Sequence, residues 1–218
     1  MKKARAIGKA TLTLGLMIIV SLFLTSCSSG GLVTPELQLD PEEEINKVEE
    51  IDYVYLDVPY EKYGGANWCL PASGAMTFKY FGMNISQAEI ANAVIKDGTS
   101  SVYKMVKYAR DLGFEAKYNY MTIEEIKNLL QKGVPVTAVQ NYSLTIPYSH
   151  ARVIIGYDDE KQEVISNDPT AGKDYKMSYS NFKALNTGVN PDLFKIIVIA
   201  TEEVDVKNAA IITGADNS

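Results

Sequence analysis

The sequence predicts one α+β domain, with helices in its first half and an antiparallel sheet in its second half. Between residues 69 and 133, apolar residues recur at helical spacing behind segments that resemble helix caps. From residue 134 onward, short runs rich in β-branched residues replace that pattern. A polar turn at residues 158 to 161 joins two of these runs and predicts a hairpin. Helices followed by hairpin-linked strands are typical of the α+β class.

The start of the chain predicts a targeting segment over residues 1 to 26. Basic residues at Lys2, Lys3 and Lys9 precede an apolar run that ends at Leu24 and is short for a bilayer span. The run closes in Leu-Thr-Ser-Cys, which resembles a bacterial lipobox. Lipidation of Cys27 would then tether the protein by acyl chains to the extracytoplasmic side of the membrane, in the bacterial cell envelope. An ordinary secretory signal or a membrane anchor is the alternative interpretation.

Three further segments follow this start. Residues 27 to 50 are acidic, polar and interrupted by two prolines, which predicts a flexible stalk, with an inhibitory propeptide as the alternative. Residues 51 to 200 are long enough to bury a core and are predicted to form the globular domain. Residues 201 to 218 lose clear periodicity and are predicted to be a tail.

Composition excludes some classes of function. The chain has 27 acidic and 21 basic residues, a net charge of −6, and no basic cluster in its body, which argues against nucleic-acid binding. It contains one histidine and no CxxC motif, so no metal site or other cofactor is predicted. It has two cysteines, and if Cys27 is lipidated then Cys69 cannot form an intrachain disulfide. A free thiol in an exported protein is exposed to oxidation, so its presence favours a functional role for Cys69.

Four helices are predicted between residues 69 and 133. The first begins at Cys69 and runs through residue 80, with Pro71 suited to its first turn. The second follows a capping-box pattern at residues 86 to 89 and runs to about residue 96. The third has apolar residues at helical spacing from residue 102 to 109, before Gly113. The fourth follows a second capping box at residues 122 to 125 and ends at Gly133.

Four strands are predicted after the helices, because short runs of β-branched and aromatic residues lie between turn signals. They cover residues 134 to 140, 151 to 157, 163 to 166 and 194 to 200. The loop at residues 141 to 149 is notably apolar and aromatic, with Tyr142, Leu144, Ile146 and Tyr148. It is predicted either to line a substrate groove or to pack on the sheet.

Cys69 is a candidate nucleophile because it is predicted to open a helix, after a Gly- and Asn-bearing turn. Helix N-termini favour negative charge and lower the pKa of a thiol. A cysteine nucleophile needs a base, and His150 is the one histidine in the chain. Asn167 and Asp168 lie at the end of the next predicted strand, which returns to the start of the strand that carries His150. Either side chain is a candidate to orient the imidazole, although a turn also explains Asn-Asp-Pro.

The order of the motifs resembles the papain-like cysteine peptidases, and most closely the branch related to bacteriocin-processing, double-glycine leader peptidases. The motifs are NWCLPASGAM, SQAEIANAV, ARDLGFEA, KGVPVTAV and SHARVIIGYDDEKQEVISNDP, within residues 57 to 170. The resemblance implies a papain-like fold, with Cys69 on a helix N-terminus and His150 on the antiparallel sheet. By position it implies Cys69 as nucleophile, His150 as general base and acid, and Asp168 as orienting residue, with Asn167 as the alternative.

One position departs from that family. Its enzymes usually carry a glutamine about six residues before the cysteine, which donates to the oxyanion, whereas this chain has Tyr63 there. The backbone N–H of Cys69 is one candidate donor, and the side chain of Asn67 or Tyr63 is the candidate for the second.

The sequence therefore predicts a membrane-anchored cysteine peptidase that acts on a peptide or protein substrate. Two alternatives keep the same fold. One is a thiol acyltransferase or amidase, and the other is a catalytically impaired module that binds peptides.

Overall fold

A seven-stranded antiparallel sheet organises the part of the chain that the computed structural model describes, residues 51–201. The predicted targeting segment, the stalk and the tail from residue 202 lie outside the described residues. In chain order the elements are β1 (Tyr53–Tyr55), α1 (Cys69–Tyr80), α2 (Gln87–Val94), β2 (Ile95–Lys96), β3 (Thr99–Ser100), α3 (Val102–Asp111), β4 (Glu115–Met121), α4 (Ile123–Gln131), β5 (Val136–Asn141), β6 (Ser149–Asp158), β7 (Glu163–Asp168), β8 (Gly172–Ser178), α5 (Tyr179–Ala184) and β9 (Phe194–Ala200).

The predicted helix starts are confirmed by their local chemistry. α1 begins at Cys69, and α4 begins behind a complete capping box, in which Thr122 and Glu125 each bond the other's backbone N–H. Ser86 caps α2 by accepting from the N–H of Glu89 at 3.2 Å. The chain leaves α4 through Gly133, whose φ of 77° favours glycine.

The prediction that α2 runs to about residue 96 is wrong, because the helix ends at Val94. The next two residues form β2, which pairs with β3 in a short hairpin. Asp97 and Gly98 make the turn of this hairpin with φ values of 52° and 76°. The residues that could have extended the helix are therefore used to build this hairpin.

The strand order in the main sheet is β4-β9-β5-β6-β7-β8, and β1 pairs with β6 as well. The predicted hairpin between β6 and β7 is confirmed, with Asp158 opposite Glu163. The strands β1, β4 and β8 and the helix α5 were not predicted. β4 and β8 are rich in charged and tyrosine side chains and poor in β-branched ones, so their composition did not indicate strands.

The two faces of the sheet are covered by different helices. On one face, α1, α2 and α3 pack through an apolar cluster that includes Phe78 of α1 and Ile197 of β9. On the other face, α4 and α5 pack through a cluster that includes Leu129, Phe182 and Val198. β9 is buried on both faces, which explains why its sequence reads as a continuous apolar run.

α1 is the central helix of the domain. Its residues 70 to 78 are all buried, although most surface helices bury only one side. Met76 packs with Val153 and Ile155 of β6, which fixes the helix against the strand that carries His150. None of the helices within residues 51–201 is long and apolar enough to cross a membrane.

Gly156 allows β1 to approach β6. A Cβ at this position would lie 2.2 Å from the backbone oxygen of Val54, which real contacts do not allow. We therefore expect Gly156→Ala to lower the free energy of unfolding by about 1–3 kcal/mol, as overpacking does elsewhere. Urea denaturation followed by circular dichroism measures this change.

The matched control is Gly64→Ala. Its added methyl would meet Oε1 of Gln87 at 3.5 Å, an ordinary contact, so we expect a change within about 0.5 kcal/mol. Equal effects of the two substitutions would contradict the close approach of β1 as the role of Gly156.

Candidate active site

The N-terminus of α1 presents Cys69 to a cleft between the helix and the sheet. Cys69 is the first residue of α1 and is half-buried, whereas the residues that follow it are fully buried. Cys69 and His150 line the same two cavities, and interactions of the thiol with the His150 side chain and with the backbone of Ala151 and Leu70 lower its pKa. The first N–H groups of a helix lack intrahelical partners, so this end of α1 is suited to stabilise negative charge.

The sheet brings His150 and Asp168 together. His150 is the second residue of β6 and Asp168 is the last residue of β7, and the two strands run antiparallel with Val153 opposite Asn167. Nε2 of His150 lies 3.0 Å from Oδ1 of Asp168. With Nε2 engaged in this way, Nδ1 is the ring nitrogen left for the thiol of Cys69.

Asp168 is buried, and four donors surround its carboxylate. Oδ1 also accepts from the backbone N–H groups of Thr170 at 2.8 Å and Ala171 at 3.0 Å. Oδ2 accepts from Nε of Arg152 at 3.0 Å. The chain turn after β7 and the neighbouring strand therefore both fix the orientation of the group that contacts His150.

Asn167 makes different contacts from Asp168. It is fully buried, donates from Nδ2 to the backbone oxygen of Val58 at 2.8 Å, and accepts from the N–H of Asp174 at 3.2 Å. Successive side chains of a strand point to opposite faces, so only one of the two neighbours can face His150. In this structure Asp168 faces it, and Asn167 holds the segment after β1 on the sheet.

The pKa values of the three groups move in the directions that an ion pair requires. Burial raises the pKa of the Cys69 thiol, but His150 and the backbone bonds from Ala151 and Leu70 lower it by more. Burial lowers the pKa of His150, and Asp168 and Cys69 raise it by more. Burial raises the pKa of Asp168, yet His150, Ala171 and Arg152 hold it far below its usual range. These directions favour a thiolate beside an imidazolium.

Tyr63 and Asn67 both line a cavity of about 470 Å³ that also contains Cys69 and His150. Nδ2 of Asn67 donates to the backbone oxygen of Gly98 at 3.1 Å, which leaves its second hydrogen free of that bond. Tyr63 is largely exposed, and its backbone N–H donates to the oxygen of Pro169 at 3.2 Å. Both candidate oxyanion donors therefore border the cavity that contains the thiol.

The aromatic loop after β5 lines this cavity as well. The ring of Tyr142 meets the ring of His150 edge-on, with centroids 5.2 Å apart and an interplanar angle of 81°. Ile146 and Tyr148 contribute to the cavity wall, and Tyr148 is 76% exposed. Three of the four predicted loop residues therefore line the cavity beside the thiol, and Leu144 lines a neighbouring cavity with Arg152 and Asp168. That a substrate binds there stays a prediction.

A second cavity, of about 280 Å³, lies beside the same thiol. It shares Cys69 and His150 with the first cavity and reaches the β2–β3 hairpin at Gly98 and Ser100. Asn67 joins the hairpin to the turn before α1, because its backbone oxygen accepts from Oγ of Ser100 at 3.2 Å. An extended ligand across Cys69 could therefore contact walls from both halves of the domain.

Three residues of the site were not predicted from the sequence. Arg152 and Gln140 lie next to Asp168 and His150 and are described below. Gln87 on α2 accepts from the N–H of Gly64 at 2.9 Å and donates to the oxygen of Lys62 at 2.9 Å, which fixes the loop that carries Tyr63. Arg152 carried a signal, since a charge interrupts an apolar strand run two positions after His150. Gln87 carried none.

Residues 51–201 contain no group of three or more His, Cys, Asp or Glu side chains that could hold a metal ion. Cys69 and His150 can themselves supply a thiolate and a proton-carrying imidazole.

Comparisons with known proteins agree with this geometry. The sequence model of the Peptidase_C39 like family matches residues 55–187. A C39-like peptidase from Bacillus anthracis has a similar structure, with 18% identity, a TM-score of 0.55, and coverage of 69% of this chain and 98% of that chain. The peptidase domain of Streptococcus ComA, a bifunctional ABC transporter of a quorum-sensing pathway, has 21% identity, a TM-score of 0.53, and coverage of 65% and 97%.

A third similar structure is a double glycine motif protease from an AMS/PCAT transporter, solved in complex with its leader peptide. It has 23% identity, a TM-score of 0.51, and coverage of 69% of this chain and 97% of that chain. At identities this low, the structural similarity shows the fold alone. It confirms the predicted α+β class with a papain-like peptidase fold. No curated protein sequence matches the chain significantly.

The pKa directions predict how the thiol reacts. A thiolate stabilised by His150 should react with iodoacetamide at pH values below the ordinary thiol pKa of about 8.5. We expect the midpoint of the pH dependence at Cys69 to lie below that value and to rise in His150→Ala. Labelling of the full chain, followed by mass spectrometry of the peptide that contains Cys69, measures both.

Tyr148→Phe is the matched control and should leave the midpoint unchanged, because the Tyr148 hydroxyl borders the same cavity but makes no hydrogen bond to Cys69 or His150 in the described part of the chain. A midpoint at the ordinary thiol value that does not respond to His150→Ala would refute the ion pair.

Proposed function

Because the chain belongs to the Peptidase_C39 like family, we propose that it is a cysteine peptidase that hydrolyses peptide bonds through Cys69, His150 and Asp168. The observation that carries this proposal is that Cys69 and His150 line the same cleft, where the imidazole lowers the pKa of the thiol and contacts a buried carboxylate through Nε2. This row of groups begins at a helix N-terminus and faces an open cleft, where a substrate carbonyl can reach the sulfur.

The proposed reaction has two halves. The Cys69 thiolate attacks the carbonyl carbon of the scissile bond, and the electron pair of the carbonyl moves onto oxygen. As the tetrahedral intermediate collapses, the C–N bond breaks and the His150 imidazolium gives its proton to the leaving amine. Neutral His150 then takes a proton from water, which attacks the thioester carbon. Collapse of the second intermediate releases the acid product and the thiolate, while His150 keeps the proton.

The oxyanion needs donors at the position where negative charge develops. The backbone N–H of Cys69, at the first turn of α1, is the proposed first donor. Tyr63 and Asn67 border the same cavity and are the proposed sources of the second donor, in place of the usual glutamine. Loss of one such donor costs about 10²–10³-fold in rate, so a full catalytic rate requires that one of them reaches the oxyanion.

The proposed substrate is a peptide in an extended conformation. The transporter protease of similar fold was solved with a leader peptide, which makes a peptide ligand reasonable for this cleft as well. Apart from Cys69 and His150, the side chains that line the two cavities beside the thiol carry no charge. We therefore expect uncharged residues on both sides of the scissile bond, since a charged group there would lose water without gaining a partner.

The proposed location is the extracytoplasmic side of a bacterial membrane, with the protein anchored through acyl chains on Cys27. This proposal rests on the lipobox-like sequence Leu24-Thr25-Ser26-Cys27, which lies outside the described residues. The stretch between Cys27 and the domain would then act as the stalk between the anchor and the peptidase.

The roles of Asp168 and Asn167 are separable by substitution. We expect Asp168→Asn to lower kcat/KM by about 10²–10⁴-fold, because His150 loses the carboxylate that orients it and stabilises its charge. Asn167→Ala should lower thermal stability but keep activity per folded molecule within a few-fold. The measurement is hydrolysis of a mixed peptide library by the full chain, read by mass spectrometry, with Cys69→Ala as the inactive reference.

The same assay tests the alternatives. Cleavage that persists in Cys69→Ala, or an equal loss in folded Asn167→Ala and Asp168→Asn, would contradict the assignment. Peptide binding without turnover by the unsubstituted chain would indicate a binding module, and transfer of acyl groups to added amines without hydrolysis would indicate an acyltransferase.

Lipidation makes a separate prediction. Expressed in a bacterial host with an alkyne analogue of palmitate, the protein should carry the label and sediment with membranes. Cys27→Ser should abolish the label and release the protein from the membrane fraction, whereas Cys69→Ser should change neither. A labelled Cys27→Ser protein would contradict the proposed anchor.

A further inference from the structure

Arg152 is a fully buried cation that the proposed chemistry does not by itself require. Only 2% of its surface is exposed, although arginine is almost never buried unless it is paired. It lies on β6 two positions after His150, so both side chains face the same side of the strand.

The guanidinium group of Arg152 is held by three acceptors. Nε donates to Oδ2 of Asp168 at 3.0 Å, Nη1 donates to Oε1 of Gln140 at 3.2 Å, and Nη2 donates to the backbone oxygen of Tyr142 at 3.2 Å. Gln140 is itself fixed, because its Nε2 donates to the backbone oxygen of Phe182 at 2.9 Å. The position of the guanidinium is therefore set by β5, by the loop after it and by α5.

These contacts divide the carboxylate of Asp168 between two tasks. Oδ1 contacts His150 and two backbone N–H groups, and Oδ2 is left to Arg152. With both oxygens engaged, the carboxylate plane cannot rotate without breaking a buried hydrogen bond. The charges also balance in pairs, since Arg152 offsets Asp168 and the imidazolium of His150 offsets the thiolate of Cys69.

We propose that Arg152 is a positioning residue of the peptidase: it fixes the Asp168 carboxylate against His150 and offsets its charge, and so sets the pH range in which thiolate and imidazolium coexist. This inference rests on the proposed function. It assigns Arg152 no contact with the substrate.

Arg152 also joins this site to the wall of the cleft. The same guanidinium that holds Asp168 also donates to the backbone oxygen of Tyr142, whose ring packs edge-on against His150. The loop that lines the cleft therefore begins beside Tyr142, whose backbone is held by Arg152, the residue that also holds Asp168. Displacement of Arg152 would disturb the orientation of His150 from two sides.

The other titratable groups around these charges are few. The thiol of Cys69 faces His150 from α1, and the phenol of Tyr60 is close enough to Asp168 for the carboxylate to raise its pKa, after burial has done so. Four further tyrosines border the cavities that contain His150 or Asp168: Tyr63, Tyr142, Tyr148 and Tyr175. Within the described residues, Arg152 is the one permanent cation that contacts Asp168.

The sign of the expected effect follows from this arrangement. Loss of the Arg152 charge makes the potential at His150 and Cys69 more negative, and a more negative potential favours the protonated form of each group. The pKa of His150 and the pKa of Cys69 should therefore both rise. A bell-shaped profile of kcat/KM against pH should move upward on both limbs, which a purely structural loss would not cause.

The first test compares Arg152→Met with Arg152→Lys in the full chain. In Arg152→Met we expect both limbs to shift upward by about one pH unit, with a loss of about 10- to 10²-fold in kcat/KM at the optimum. Arg152→Lys retains the charge but not the fork of donors, so its limbs should stay in place while kcat/KM falls. Limbs that stay in place in folded Arg152→Met would overturn the proposal.

Two readouts do not depend on activity. The chain contains one histidine, so the imidazole resonances of an untagged, histidine-labelled protein report the titration of His150 directly. The pH dependence of iodoacetamide labelling reports Cys69. If the unsubstituted chain is inactive but loss of Arg152 shifts both titrations, the peptidase proposal is rejected and the role of Arg152 is kept. If the unsubstituted chain is active and loss of Arg152 shifts neither titration, the role of Arg152 is rejected and the peptidase proposal is kept.

A variant that keeps the guanidinium guards against loss of folding in Arg152→Met. Gln140→Glu keeps the size of the side chain and places a carboxylate against Nη1 of Arg152, although it loses the bond from Nε2 to the backbone oxygen of Phe182. When ionised in the folded protein, this carboxylate should offset the same charge and shift both limbs upward. An unchanged profile in folded Gln140→Glu would count against the proposal.

Chemical rescue provides the most direct test of position. A cavity of about 320 Å³, whose lining does not include Cys69, borders Arg152 and Asp168, and it gives small solutes a route to the space that Arg152→Ala would open. Millimolar methylguanidinium should restore part of the lost kcat/KM in Arg152→Ala and should not affect the unsubstituted chain. Urea is the control, since it has a similar shape but no charge; equal rescue by urea would show that charge is not required.

Discussion

The candidate site depends on one buried carboxylate that must remain ionised. Burial alone would raise the pKa of Asp168, and an unpaired charge in the interior costs several kcal/mol. The chain offsets this cost with His150, Arg152 and two backbone N–H groups. Because the folded pKa of Asp168 lies below its usual value, the stability from these contacts is present above that value. It is lost as the pH falls through the folded pKa.

His150 contributes in the opposite direction. Its folded pKa is raised, so the stability that comes from its charged form is present below the ordinary histidine pKa and is lost as the pH rises through the folded one. The two contributions are therefore both complete between the ordinary pKa of an aspartate and the ordinary pKa of a histidine. A thiolate at Cys69 has an imidazolium beside it only above the folded pKa of Cys69 and below that of His150, so stability and the proposed chemistry both depend on the proton of His150.

Much of this arrangement could be predicted from local sequence patterns, and the rest depended on tertiary pairing. Capping residues such as Thr122 located the helices, and the single histidine left one Cys/His pair to consider. The strand pattern alone left both Asn167 and Asp168 open, and only the family resemblance favoured Asp168. The pattern could not decide, because the choice depends on which face of β7 each side chain takes and on the register shift between Ser166 and Asp168. The strand β4 could not be predicted from the sequence either, since it forms by pairing with β9 and its own composition does not indicate a strand.

The turn after β7 connects the carboxylate to the proposed oxyanion region. Within residues 169 to 171, the N–H groups of Thr170 and Ala171 hold Asp168, while the backbone oxygen of Pro169 accepts from the N–H of Tyr63. The loop that carries Tyr63 is fixed from its other side by Gln87. The loop beside Cys69 is therefore firmly held, although it carries Tyr63 in place of the usual glutamine. The segment that orients Asp168 also positions Tyr63. If Tyr63 supplies the second oxyanion donor, its placement and the orientation of the imidazole are set by the same few hydrogen bonds.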